Sequence, residues 1–132
     1  MREIKFRGKD EWGNWRHGDL MKNSIPTASP VIVENFYYDD PDDSMFEVNP
    51  DTVGQFTGLK DSTGKEIYEG DIVKFCDDRA HELVGVIKWY VLACRWGVDC
   101  SISVRDCDNH PFDARYAFKI IGNVHDNPEL LK

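Results

Sequence analysis

Cys94, Cys100, Cys107 and His110 form the most metal-like set in this chain, since three thiolates and an imidazole are ligands enough to close a tetrahedral zinc site. Their spacing argues against that use. A structural zinc knuckle presents each ligand pair about two to four residues apart, and the intervals here are longer. No metal or cofactor is therefore expected, and the thiols read as small apolar side chains. Asp106, Asp108, His110 and Asp113 share one stretch, where a His beside carboxylates can act as a general base or hold a hard cation. An enzyme built on that stretch needs a pocket into which Asp108 and His110 both project. Asp-rich loops also arise from turn formation alone, and no Ser, Cys or Lys nucleophile has an evident orienting partner. The chain thus reads as non-enzymatic, with no catalytic residues. The acid run of residues 39–43 lacks the alternating ligand spacing and Gly of a calcium loop and reads as a solvated turn.

Aromatic residues offer binding chemistry instead. Trp12, Trp15, Tyr37 and Tyr38 lie near expected strand ends, where amphipathic rings anchor protein interfaces unless the core claims them. Lys60, Lys65 and Lys74 with Tyr68 form the nearest thing to a strip for single-stranded nucleic acid, but Glu66, Glu69 and Asp71 interrupt it. The 24 acidic against 16 basic residues give a net charge of −8, so a surface that neutralises many phosphates is disfavoured. A protein partner or a second copy is the expected ligand. The rival is a nucleic-acid-associated small barrel, since such barrels bind oligonucleotides through one sheet face and its loops.

The elements that position these residues are extended ones. The run VGQFTGLKDSTGKEIYEGDIVKF (53–75) packs tight turns at Asp61-Ser62-Thr63-Gly64 and Glu69-Gly70-Asp71 between short strands, because Gly supplies positive φ and Asp bonds local backbone donors. Ile4 and Phe6 alternate with Lys5 and Arg7, predicting an opening strand, and Gly13-Asn14 between two tryptophans predicts a hairpin back to residues 15–21. Further strands are expected in 31–38, 45–48, 84–92 (with Ile87, Trp89 and Val91 on one face), 101–104 and 116–121 (with Phe118 and Ile120 inward). Residues 49–52 read as a turn or one turn of helix, 76–83 and 105–115 as loops, and 127–131 as a short cap with Pro128 at its first position. Strands so short and so regularly spaced leave no room for helical crossovers. The fold class is mainly all-β: antiparallel, strongly curled sheets, a small Src-homology-like barrel in the C-terminal part, and little helix. Residues 1–58 would form an N-terminal lobe of hairpin and meander, and 59–132 the barrel, unless one core runs through both.

At 132 residues the chain can bury roughly two-thirds of its unfolded surface without disulfides or metals. Its first residues alternate polar and apolar where a signal peptide would be apolar, and no apolar run approaches a membrane span. A soluble, non-secreted protein with reduced cysteines is expected.

Three blocks carry a resemblance: REIKFRGK at 2–9, TVGQFTGLKDSTGKEIYEGDIV at 52–73, and IGNVHDNPELL at 121–131. In that order they resemble the YopX family of bacteriophage and prophage proteins. The resemblance implies a β-rich fold, a phage or prophage origin and the bacterial cytoplasm as working compartment. It implies no activity and transfers no site residue.

Overall fold

The computed structural model describes residues 2–22, 28–34 and 45–132. The chain divides into two compact units, Met1–Phe56 and Thr57–Lys132. Among the described residues all regular structure is β apart from short 3₁₀ turns at Pro50–Thr52 and Pro128–Leu131, and every strand pairing is antiparallel.

In the first unit, β1 (Phe6–Lys9), β2 (Trp15–Met21), β3 (Val31–Val33), β4 (Met45–Glu47) and the start of β5 (Gly54–Lys60) lie in the order β4-β3-β2-β1-β5. The opening strand starts later than its alternation predicts. Ile4 is exposed and Arg7 is buried, because Arg7 lays its guanidinium 4.6 Å from the Trp15 ring while Val48 covers the same strand at Gly8. A Cβ at Gly8 would lie 2.9 Å from Val48, so close packing demands glycine there. The turn at 49–52 is held by Thr52, whose Oγ1 accepts from Lys9 N–H at 2.9 Å and donates to the Asn49 carbonyl at 2.7 Å. The part of the expected 31–38 strand beyond residue 34 lies outside the described residues.

In the second unit, the rest of β5 neighbours β6 (Glu66–Tyr68), and β7 (Asp71–Cys76), β8 (Glu82–Tyr90), β9 (Arg95–Asp99), β10 (His110–Pro111) and β11 (Lys119–Asn123) form a sheet ordered β10-β9-β8-β7-β11. Its core joins Ile67, Val73, Phe75, Leu83, Ile87, Val98, Cys100, Tyr116 and Phe118. The strong curl and barrel closure expected of this part are not realised: β10 and β11 are opposite edges of an open sheet. Closure fails for physical reasons. β10 is two residues long and contains Pro111, which has no N–H to donate, and β11 breaks register between Ile120 and Gly122. The outer edge of β11 is covered instead by the β5–β6 loop, where Ser62 N–H donates to the Phe118 carbonyl at 2.8 Å and Ile120 N–H donates to Asp61 Oδ2 at 3.1 Å.

That loop belongs to a recurring device. At Asp10, Asp61 and Asp77 the Asp N–H donates to the carbonyl four residues on and its own carbonyl accepts from the N–H three residues on, a type I turn followed by a left-handed residue. The left-handed residue is Gly13, Gly64 or Ala80 (φ +80°, +90° and +61°). In each loop one carboxylate oxygen accepts the N–H groups two and four residues later, namely those of Trp12 and Asn14, of Thr63 and Lys65, and of Arg79 and His81. Burial works against ionisation of Asp61, yet bonds from Thr63, Ile120 and Lys65 outweigh it and hold the carboxyl below its ordinary range. Burial likewise opposes ionisation of Asp10 and loses to bonds from Asn14, Arg16 and Trp12, while the His81 N–H leads the lowering at Asp77.

The expected strand at 101–104 is a turn. Ser103 and Val104 N–H groups both donate to the Cys100 carbonyl, leaving Ile102 and Val104 exposed, and the strand of that region is β9, six residues earlier. Ile102 and Val104 alternate with serines as a strand would, but a turn of this length accepts the same pattern.

Ala80 is an L-residue in left-handed backbone, so Ala80→Gly should stabilise the protein by roughly 0.5–1 kcal/mol in urea unfolding, the relieved strain exceeding the entropy that glycine adds to the unfolded chain. Asp61→Ala orphans the Thr63, Lys65 and Ile120 donors together and should cost about 2–3 kcal/mol by the same measurement. Because the folded Asp61 carboxyl ionises more readily than the unfolded one, its stabilisation is complete above the unfolded value of about 3.9 and fades as pH falls through the lower folded value. Acid unfolding below about pH 4 should therefore flatten in Asp61→Asn.

Candidate functional site

The β8–β9 hairpin carries the largest exposed apolar feature of the second unit. Ile87 is fully buried, but the strands run on past it: Trp89 is 45% exposed, Val91 73%, and Leu92 completely exposed at the tip. Of Ile87, Trp89 and Val91, expected on one face, only Ile87 meets the core, because the strand is longer than the core is deep. Trp89 and Trp96 face each other across the pair and meet edge to face with centroids 5.2 Å apart, which stiffens the projection. Cys94 closes the tip with φ +50° and donates its N–H to the Val91 carbonyl at 3.2 Å. Lys88 binds Asp99 at 2.6 Å, so the base of the finger is pinned.

Tyr90 ties the finger to the Asp-rich loop. Its ring lies where a Cβ on Gly97 would come within 2.6 Å, and its hydroxyl donates to the Asp108 carbonyl. Burial first, then the charges of Asp99 and Asp108, push the phenol up to about 12, so it stays a donor throughout the physiological range.

The sequence-predicted loop residues do not converge. The Asp106 φ of +66° marks a turn, Asp108 supplies its backbone carbonyl to Tyr90, and Asp113 accepts the Arg115 N–H at 3.0 Å and pairs with its Nε at 3.3 Å. His110 is held edge to face by Phe75 and Tyr116, both rings with centroids 4.9 Å away, and its Nδ1 lies 2.9 Å from the Pro111 carbonyl. Of the thiol set, Cys94 sits exposed at the finger tip while Cys100 and Cys107 share the core region. Among the described residues no group of His, Cys, Asp and Glu is assembled to hold a metal ion.

In the first unit Trp12 stands 71% exposed inside the Asp10 loop. Trp15 is half-buried, with Arg7 at 4.6 Å and Lys9 at 5.5 Å from its ring. The reversal therefore falls at Glu11-Trp12-Gly13, one step earlier than the Gly13-Asn14 turn predicted. Tyr37 and Tyr38 lie outside the described residues. Tyr68 is buried and Lys74 pairs with Glu82 at 3.0 Å. The finger escaped sequence reasoning because WYVL continues a strand pattern, although the missing Gly or Asn between Trp89 and Trp96 was a signal that this hairpin is not an ordinary tight turn.

Exposed methyls at a hairpin tip contribute little to folding. Leu92→Ser should change unfolding free energy by less than about 0.5 kcal/mol, whereas Ile87→Ala in the same strand should cost about 2–5 kcal/mol; calorimetry distinguishes the two.

Among the described residues no helix is long and apolar enough to cross a membrane. No curated protein matches this chain. The chain is similar to the crystal structure of protein EF1440 from Enterococcus faecalis, with 22% identity, 100% of each chain covered and a TM-score of 0.54, a likeness that concerns the fold alone. The family model described as YopX protein matches residues 5–132, nearly the whole length, and the chain accordingly belongs to the YopX family.

Proposed function

We propose that this protein is a non-enzymatic interaction module, encoded by a phage or prophage and working in the bacterial cytoplasm, that binds a host or phage protein or a second copy of itself. The observation that carries this is the β8–β9 finger, which holds Trp89, Val91 and Leu92 in water on a hairpin stiffened by a tryptophan pair. Rigid aromatic and aliphatic anchors lose little entropy on docking, which is why such residues dominate interface energetics. Arg95 is the one charged residue of 89–98, within a chain of net charge −8, so the finger suits an apolar cleft with an acidic rim. The exposed Trp12 of the first unit is a second anchor of the same kind.

Sedimentation and affinity capture of the intact protein, set beside a Trp89→Ser, Leu92→Ser variant, test this reading. A specific protein, or a second copy, should be retained by the parent and weakened at least about tenfold in the variant. A monomer that captures nothing specific, or capture indifferent to the finger, would refute it. Single-strand binding that falls steeply with salt would favour the nucleic-acid reading in its place.

A further inference from the structure

We propose that Cys100 and Cys107 form an oxidisable dithiol, a modification site at which a low-molecular-weight disulfide converts both thiols into an intramolecular bridge that locks the intervening loop. The site is independent of what the finger binds. Cys100 N–H donates to the Cys107 carbonyl at 2.8 Å, which holds the two residues side by side at the ends of the loop they bracket. Cys100 is fully buried, and Cys107 packs against the same core, where it helps to push the Cys100 thiol up.

The loop between them is held closed by its own hydrogen bonds. Ser103 and Val104 N–H groups donate to the Cys100 carbonyl and Cys107 N–H donates to the Val104 carbonyl. Ser103 Oγ accepts from Val84 N–H at 2.9 Å and donates to the Val84 carbonyl at 3.1 Å, standing in for a strand where β9 has ended. Cys100 Sγ occupies the space over Gly85, where a Cβ would come within 3.0 Å of it. Cys76 and Cys94 are exposed and belong to other hairpins.

Burial, then Cys107, pushes the Cys100 thiol up to about 12, so the more accessible Cys107 reacts first. Its thiolate attacks one sulfur of the small disulfide and releases the first small thiolate. Cys100 then gives its proton to that thiolate and attacks the Cys107 sulfur of the mixed disulfide, expelling the second. Two protein thiols are oxidised and one small disulfide is reduced to two thiols. Disulfides in a reducing compartment are characteristically transient and redox-responsive, and this one would fix the loop that displays Ile102 and Val104.

Oxidised glutathione is the probe, and the Cys76→Ser, Cys94→Ser variant, altered at exposed positions only, is the protein. Both remaining thiols should disappear, the mass should fall by about 2 Da, a peptide bridging Cys100 and Cys107 should appear, and the melting temperature should rise above that of the reduced form. Adding Cys100→Ser should halt the reaction at a glutathione adduct on Cys107. Two titratable thiols surviving treatment, or a stable adduct on Cys107 while Cys100 is present, would overturn the proposal.

Discussion

One interaction recurs at the points where this chain must reverse: an Asp carboxylate oxygen shared by two backbone N–H groups of the loop it opens. Asp10, Asp61 and Asp77 each make it, and each loop ends on a left-handed residue. Hairpin register depends on it, because a loop of fixed length and fixed bonds lets the strands meet in one alignment only. A slip of one residue would turn Val73, Phe75 and Ile87 from core to solvent.

Asp61 does more than its counterparts because its second oxygen accepts the Ile120 N–H of an edge strand. A small sheet usually hides its edges by closing on itself, and here a loop carboxylate and the Ser62 N–H cover the edge that closure would have paired. The sheet remains open, so β8 and β9 are free to extend beyond the core and present Trp89 and Leu92 to solvent. Scaffold and exposed finger thus follow from the same economy of short loops.

Fold class was legible in the sequence because turn chemistry and period-two alternation are local signals. The reversal at Asp61-Ser62-Thr63-Gly64 could be read directly, since Gly64 and Asp61 advertise what they do. Its twin at Asp77 was legible as a loop over 76–83 but not as the same turn, because Ala80 occupies the left-handed position where glycine would announce it. Alternation also says which side chains share a face but not how far the core reaches, and so placing Trp89 and Val91 on the face of Ile87 did not tell that only Ile87 is buried. Closure of the sheet was illegible for a related reason: it depends on a two-residue β10 and a bulge in β11, features set by long-range pairing. Among the site residues, Trp12 was legible as a tip aromatic, whereas the turn-forming roles of Asp106, Asp108 and Asp113 and the packing of His110 required the fold.

Carboxyl carbon chemical shifts of Asp10, Asp61 and Asp77, followed by NMR from neutral pH into acid, address the shared loop interaction most directly. All three should titrate below the ordinary aspartate value of about 3.9, each midpoint coinciding with loss of the amide signals of its own loop. Midpoints at or above that value, with the loop amides undisturbed as the carboxylates protonate, would contradict the account.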